Sequence, residues 1–484
     1  MKKIFPKIIK SQFIFFVSVL IFVFLFLSKQ VNPAYIDYGD GSYLYELKLI
    51  ESGKRLYIDF FAPQPPFFYF FGYLIYSINH SIIFIRFLFL ILNLLSLYLF
   101  YLIIRKIFQN YLIALLSTIT TFIFTISIFW WPTFTGEVFL RFFIFLLLYL
   151  ELLKENSKKL IYLKSLLLVI IFFSKYTSLF FIFFYLFFLF VNNKKIFQKT
   201  LIYSLINFLL INLVFIIFFG LDIYSQTIIV RKILPFKPTI LSVSSTIYFL
   251  LKFIPFYMLN LIISSWFFIK KDYKKSFIFF LPLTWLPNLY FNFIEGTYLY
   301  VFYPLEPFIT TGFYYLLLYR KKLTINFSCL VRLISYFSVF WGILVIIYQL
   351  QIFPDYYSLR SNMYDIKTSE KIVEILKKNN ERFVIAPPFF LFVANKQSYP
   401  NFHDPFFFLY YLKRSDSNFK LSHFEELRKK LLVEKPNQLF VDWRIKTILF
   451  DLDRNYLKHY QLTNTFNFLI NPSETIEVFE KIND

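Results

Sequence analysis

The sequence predicts a polytopic α-helical membrane protein that carries a small α/β domain at its C-terminal end. Three observations lead there. Hydrophobic residues make up 58% of the 484 positions, 73 of them Phe, and charged residues only 17%; with a mean hydropathy of +0.59, this is more apolar surface than a water-soluble fold can bury. The apolar residues fall in runs separated by short Lys/Arg clusters, the pattern of membrane helices joined by cytoplasmic loops. Beyond Gln351 the composition changes, because that stretch holds 17 of the 29 acidic residues and alternates strand-like with helix-like pieces. The formal charge of +22 is thereby assigned to cytoplasmic loops, and nucleic acid is not expected as a partner.

The chain opens with MKKIFPKIIK and a long apolar run to Ser28, without a small-x-small cleavage site. This reads as an uncleaved signal anchor with a cytoplasmic N-terminus. The next clear span, Ile82 to Ile104, ends in Arg105 and Lys106, so Asn32 to Ser81 forms an outer loop. Within it, FFYFFGYLIYSI after Pro66 is about a dozen apolar residues, short of the ~20 that a crossing needs, and is expected as an interfacial or half-inserted helix. Tyr111 to Trp131 then goes out and Val138 to Leu153 returns. Leu160 to Phe173 and Thr177 to Val191 form the next pair, Leu201 to Gly220 and Ser245 to Phe268 the one after. Phe277 to Phe293 goes out, Tyr300 to Leu318 returns, and Ile325 to Leu350 exits. Basic clusters mark each return, for about eleven crossings. The expected division is a membrane domain over residues 1–350 and an exocytoplasmic α/β domain over 351–484, in the cytoplasmic (plasma) membrane.

In that last stretch RFVIAP, QLFVDW and KTILF are expected as strands, and TSEKIVEILKKN and SHFEELRKKLL as helices. It reads as a capping or interaction module. Cys329 is the single cysteine, which leaves no intramolecular disulfide or thiolate cluster. His80, His403, His423 and His459 lack ligand spacing and read as surface or interfacial polar residues.

This topology gathers polar residues at the outer edge: Asp37, Asp40, Glu46, Glu51 and Asp59 in the first loop, then Glu137, Lys175, Asp222, Arg231, Lys232, Lys237 and Glu295. Charges at one depth beside hydrocarbon are either solvated loop residues or a site. Lys175 stands between two short apolar runs, where a bare turn more typically uses Gly, Asn or Pro. In the first loop Tyr43, Leu44, Leu47 and Ile50 share one helical face. Asp40 is placed as the N-cap and Gly53 as the stop, which predicts a helix lying on the membrane with Asp37 and Asp40 at its mouth.

Taken in order, these residues resemble the GT-C membrane glycosyltransferases, in particular the protein O-mannosyltransferases and lipid A aminoarabinose transferases. The matching pieces are DYGDGSYLY, Gly53, LYIDFF and Gln64-Pro65-Pro66-Phe67 in the first loop, Thr135-Gly136-Glu137, Ser174-Lys175-Tyr176-Thr177, and TYLYVFYPLEP over Thr297 to Pro307. The likeness spans most of the membrane region. The chain departs from the family in having Asp37 and Asp40 separated by Tyr-Gly instead of an Asp-Glu pair. Its late loop carries Tyr298, Tyr300 and Tyr303 where the family often has an Arg or His beside its Tyr.

The resemblance implies an inverting transfer of a sugar from a polyprenyl-phosphate donor to a protein, lipid or glycan acceptor. Such a step needs a carboxylate to take the acceptor proton, cations or a metal to neutralise the departing phosphate, and an apolar groove for the lipid tail. Asp40 is the first candidate for the base and Asp37 the reserve. Lys175, Arg231 and Lys232 are the candidates for the donor phosphate. Glu137, Asp59, Tyr300 and Tyr303 are further substrate-site candidates. No cofactor is required by the sequence, and a divalent cation is compatible with it; no G-x-G-x-x-G or G-x-x-x-x-G-K motif is present. The main rivals are a secondary transporter, for which Pro282, Pro287 and Asn288 in one span speak, a lipid-linked glycan flippase, and a non-catalytic scaffold. Nine Gly in the whole chain and ionisable groups at the edges favour the transferase.

Overall fold

Apolar runs joined by short basic segments fold here into a helical bundle capped at one end by a mixed α/β unit. The computed structural model describes residues 5–28, 38–123, 133–153, 157–228, 234, 236, 238–294, 299–323, 329–361, 366–381, 383–399, 402–413, 422–467 and 475–482. The helices in order are α1 Phe5–Ser28, α2 Tyr38–Glu51, α3 Pro66–Tyr76, α4 Ile82–Phe108, α5 Tyr111–Ile123, α6 Gly136–Glu151, α7 Lys158–Ser174, α8 Leu179–Asn192, α9 Lys194–Phe219, α10 Asp222–Thr227, α11 Ile240–Ile269, α12 Tyr273–Thr284, α13 Thr311–Leu323 and α14 Cys329–Ser361. By length and composition, four helices among the described residues can cross a membrane: Ile82–Phe108, Lys194–Phe219, Ser242–Ile269 and Arg332–Gln351.

Local chemistry explains several departures from the expected spans. Lys194, Lys195 and Lys199 lie inside α9 instead of before it, because Asn193 caps that helix by accepting the Ile196 N–H at 3.1 Å. The span expected over Phe277 to Phe293 is a helix only to Thr284; Pro287 follows, and Leu286–Phe293 winds into a tighter 3-10 segment. Likewise Leu299–Phe308, with Pro304 and Pro307, is 3-10 before α13 begins. α14 continues to Ser361, so position 350 falls within a helix. Pro255 inside α11 cannot donate to the Leu251 carbonyl, and the Trp341 indole N–H from α14 takes that carbonyl at 3.2 Å.

The C-terminal unit contains α15 Ile366–Lys378, β1 Phe383–Val384, α16 Pro388–Val393, β2 Gln397–Ser398, α17 Pro405–Lys413, α18 Ser422–Val433, β3 Gln438–Val441, α19 Trp443–Leu452, β4 Tyr460–Phe466 and β5 Ile476–Lys481. β3, β5 and β4 form an antiparallel sheet in that order, and β1 pairs in parallel with β2. Among the described residues a single parallel bridge, Ile385 to Leu439, joins the two sheets. KTILF, expected as a strand, lies in α19. Asp442 caps that helix by accepting the Ile445 N–H at 2.8 Å, and Ile445, Ile448 and Leu449 bury one helical face.

The apolar core has three parts. One fills the bundle, a second joins α2, α3 and the adjoining end of α4 to α16, and the third lies under the sheet of the C-terminal unit. Phe61 of the first loop inserts into that third core, its ring 4.6 Å from Phe424 and 5.5 Å from Phe407. At the opposite end of the bundle Lys164 and Tyr185 both donate to Glu151, at 2.8 and 2.9 Å, a buried set in which each polar group finds a partner.

Candidate active site

The first loop begins with α2, and α2 is not the surface helix that its pattern suggests. It starts at Tyr38, so Asp40 sits in its first turn and is not its N-cap. Gly53 does stop the chain, at φ +84°. Leu44, Tyr45, Glu46 and Leu47 are all buried, because α3 packs on one side and α16 of the C-terminal unit on another. A Cβ at Gly41 would stand 2.7 Å from the backbone of Phe389; only glycine allows α2 and α16 to approach this closely. The period-3.6 apolar face is real, and protein covers the remaining faces as well.

Asp40 turns inward, fully enclosed, and meets Arg86 of α4. Arg86 donates to Asp40 Oδ2 from Nη2 at 2.7 Å and from Nε at 3.0 Å, and the Phe134 N–H donates to Oδ1 at 2.8 Å. Arg86 and Asp40 are both 0% exposed, so each depends on the other to offset its desolvation. Three residues beyond Phe134, Glu137 opens α6 and is hydrogen-bonded to Lys175. Lys175 lies where α7 breaks into the 3-10 turn Tyr176–Ser178, its backbone extended, which sends its side chain back towards the start of α6. Lys175 keeps 16% of its side-chain surface exposed and Glu137 4%. The segment Thr133–Glu137 thus carries two charged pairs, one sealed and one bordering solvent. Its Phe134 ring stacks on Phe68 at 4.6 Å.

The rest of the first loop is tied down around this segment. Gln226 of α10 donates to the Tyr57 carbonyl at 2.6 Å and accepts the Ala62 N–H at 2.9 Å. Tyr57 adopts φ +63°, costly for a bulky residue, and its hydroxyl is anchored on the Gln64 carbonyl at 2.5 Å. Asn288 donates to the Thr177 carbonyl at 3.3 Å, joining the Lys175 turn to the 3-10 segment after α12. Deeper in the bundle Arg141 of α6 stands 3.7 Å from Glu306, both buried.

The sequence-derived candidates separate accordingly. Asp40, Glu137 and Lys175 converge. Asp59 lies apart, on the loop surface, where Arg55 holds it at 3.0 Å and keeps its carboxyl below the usual carboxylate range, the hydrogen bonds from Arg55 being the main cause. Asp37, Arg231 and Lys232 lie outside the described residues, and the backbones of Tyr300 and Tyr303 fall in the 3-10 segment before α13. Arg86, Arg141 and Glu306 were not singled out from the sequence. A charge inside an apolar run, as in IIFIRFLFL or GEVFLRFFIF, is itself the signal that a partner exists.

Two histidines read as surface residues instead pin the loop to the C-terminal unit. His403 is 1% exposed and donates from Nε2 to the Phe61 carbonyl at 2.8 Å; His423 donates to the Ile58 carbonyl at 2.9 Å. Burial lowers the His403 ring to about 4 against the pull of its Phe61 hydrogen bond. Glu46 Oε1 lies 3.7 Å from His403, and burial, reinforced by Asp404, raises the Glu46 carboxyl well above its ordinary value. Among the described residues no three His, Cys, Asp or Glu side chains are grouped to hold a metal ion.

The bundle, its long first loop and the α/β unit at one end resemble the folds of ArnT and of an archaeal oligosaccharyltransferase. The sequence profile of the dolichyl-phosphate-mannose-protein mannosyltransferase family matches residues 63–219, the stretch from the Pro-Pro of the first loop through Glu137 and Lys175 to the end of α9. The fold matches ArnT from Cupriavidus metallidurans bound to undecaprenyl phosphate with a TM-score of 0.58 at 10% identity, over 97% of this chain and 98% of that one. It matches the oligosaccharyltransferase of Archaeoglobus fulgidus, tethered to an acceptor peptide, with a TM-score of 0.54 at 13% identity, over 97% of this chain and 74% of that one. A further structure of the archaeal enzyme AglB from Archaeoglobus fulgidus, in complex with an inhibitory peptide and a dolichol phosphate, matches with a TM-score of 0.51 at 12% identity over the same shares. No curated protein sequence matches significantly.

Proposed function

We propose that this protein is an inverting glycosyltransferase that moves a sugar from a polyprenyl-phosphate donor to an acceptor at the outer face of the cytoplasmic membrane. The observation that carries the reading is the convergence of Asp40–Arg86 and Glu137–Lys175 on the single segment Thr133–Glu137, at the end of the bundle capped by the C-terminal unit. Two solved proteins of the same fold hold an undecaprenyl or a dolichol phosphate, which supports a lipid-linked donor here. A membrane-anchored donor presents its phosphate at headgroup depth, where Lys175 borders solvent. A lysine there neutralises the charge that develops as the sugar leaves, and Arg231 and Lys232, which follow α10 in the sequence, are the further candidates for that role. A carboxylate of the same cluster takes the acceptor proton. The apolar faces of the bundle hold the isoprenoid.

The N-terminus is then cytoplasmic and the C-terminal unit exocytoplasmic, as the basic clusters require. The test is direct. Full-length protein in nanodiscs is given undecaprenyl phosphate linked to glucose, mannose or aminoarabinose, with envelope extract as the acceptor source, and release of undecaprenyl phosphate is followed by mass spectrometry. Release from at least one donor is expected. Donors that cross the bilayer intact, with no release from any of them, would overturn the transferase in favour of a flippase.

A further inference from the structure

We infer that the Glu137–Lys175 pair is an exchangeable latch: the donor phosphate takes Lys175 from Glu137, and the freed Glu137 carboxylate becomes the base, while Asp40 serves as a positioning residue. The inference rests on the transferase reading and assigns roles within that site.

The two pairs on the Thr133–Glu137 segment differ in a way that matters chemically. Asp40 has no surface exposed, and both its oxygens are already occupied, Oδ2 by two Arg86 donors and Oδ1 by the Phe134 N–H. A base must reach the proton it removes, and this carboxylate is spent on holding Phe134, three residues before Glu137, against α4 and α2. Of the second pair, Lys175 keeps 16% of its side chain exposed and covers Glu137, which keeps 4%. Both stand at helix ends: Glu137 is in the first turn of α6, and Lys175 is at the break between α7 and the 3-10 turn. One ammonium and one carboxylate make a charge-assisted bond that a phosphate, with more acceptor oxygens and more charge, can replace in kind. Helix α6 keeps the freed carboxylate favourable, since its N-terminal dipole end faces an anion.

The step balances with no further reagent. The acceptor hydroxyl or amine attacks the anomeric carbon and forms the new glycosidic bond, and the bond between that carbon and the phosphate oxygen breaks. The electron pair leaves with the polyprenyl phosphate, neutralised by Lys175, and the acceptor proton passes to Glu137. With the lipid in place the latch is open, so the base is uncovered only when a donor is bound.

Binding and turnover test this separately, on full-length protein in nanodiscs. With undecaprenyl phosphate as the probe and native mass spectrometry as the readout, Glu137→Gln is expected to bind about tenfold more tightly than the parent, because the internal competitor is gone, and Lys175→Gln about tenfold more weakly. Unchanged or weaker binding by Glu137→Gln overturns the latch whether or not a donor sugar has been found. In turnover, Glu137→Gln should lose about a hundredfold or more in kcat while keeping its tighter lipid binding, and Glu137→Asp should recover part of it. Asp40→Asn, which can still accept the Phe134 N–H, should stay within about tenfold of the parent; Asp40→Asn with Arg86→Gln serves if the single variant fails to fold, since it leaves no lone buried charge. A folded Asp40 variant that loses a hundredfold, or a Glu137→Gln that transfers sugar as fast as the parent, refutes the assignment of the base. Absence of transfer by the parent removes the transferase reading alone, and the binding arm then decides the latch.

Discussion

Replacing Arg86 by Met removes the cation that holds Asp40, and the structure sets the size of the effect. Two charge-assisted hydrogen bonds, at 2.7 and 3.0 Å, disappear from Asp40 Oδ2, leaving a fully enclosed carboxylate without the cation that offsets its desolvation. Breaking a buried pair by removing one partner costs about 3–5 kcal/mol, whereas removing both costs far less. Arg86→Met should therefore be destabilised by about 3–5 kcal/mol, and Arg86→Met with Asp40→Asn should recover about half or more of that. Unfolding of purified protein in detergent, compared across the parent, both single variants and the double variant, gives the coupling energy. Because neither group meets solvent, the loss should be unaffected by 0.5 M salt, which would screen an exposed pair such as Arg55–Asp59. An Arg86→Met loss below about 1 kcal/mol, or a double variant no better than the single, would refute the claim that this pair anchors Thr133–Glu137.

Gly41→Ala forces a Cβ against the Phe389 backbone, which stands 2.7 Å away, and should loosen the C-terminal unit, seen as faster proteolysis or hydrogen exchange of α16. Phe61→Ala empties a site between Phe407 and Phe424 and should cost about 3–5 kcal/mol in the stability of that same unit. The pH dependence has two parts of opposite sign. Glu46, raised well above its ordinary 4.5 by burial, gives a contribution that is full below that value and is lost as pH climbs through the folded value; Glu46→Gln should remove this decline in melting temperature. His403, lowered from 6.5 to about 4, gives stability that is full above 6.5 and is lost as pH falls towards 4, and His403→Gln should flatten that acid limb. With Cys329→Ser as background, Arg454→Cys should react with an impermeant maleimide added outside intact cells and Lys159→Cys should not; the reverse pattern would invert the topology. Chelation with EDTA should leave transfer intact if Lys175 supplies the phosphate charge, and loss restored by a divalent ion would show that a cation assists it.

Much of the architecture is legible in the residues because a bilayer imposes one-dimensional rules. Apolar runs need a minimum length, basic clusters mark one side, and prolines and caps set the ends. Those rules place α3 as too short to cross and end α2 at Gly53, whereas the acidic stretch expected to start at Gln351 begins inside α14, which runs on to Ser361. The same residues, taken in chain order, already resemble the GT-C pattern. The site candidates are only half legible. Asp40, Glu137 and Lys175 stand out by type and by their place beside apolar runs, yet nothing in the local sequence says which carboxylate faces which cation.

That pairing is a matter of three-dimensional contact. Arg86, 46 residues from Asp40 in the chain, is visible in the sequence only as a misplaced charge in an apolar run. The period-3.6 pattern of α2 indicates a helix with an apolar face; it contains no information about α16, which arrives from the far end of the chain and buries the other faces. The same holds for His403, which reads as surface until the Phe61 carbonyl is placed beside it. The sequence by itself determined the kind of protein, a multi-pass helical membrane protein, because hydrocarbon length acts residue by residue along the chain. Only the tertiary structure decided which carboxylate pairs with which cation, because desolvation and pairing depend on neighbours that the chain brings together from distant positions.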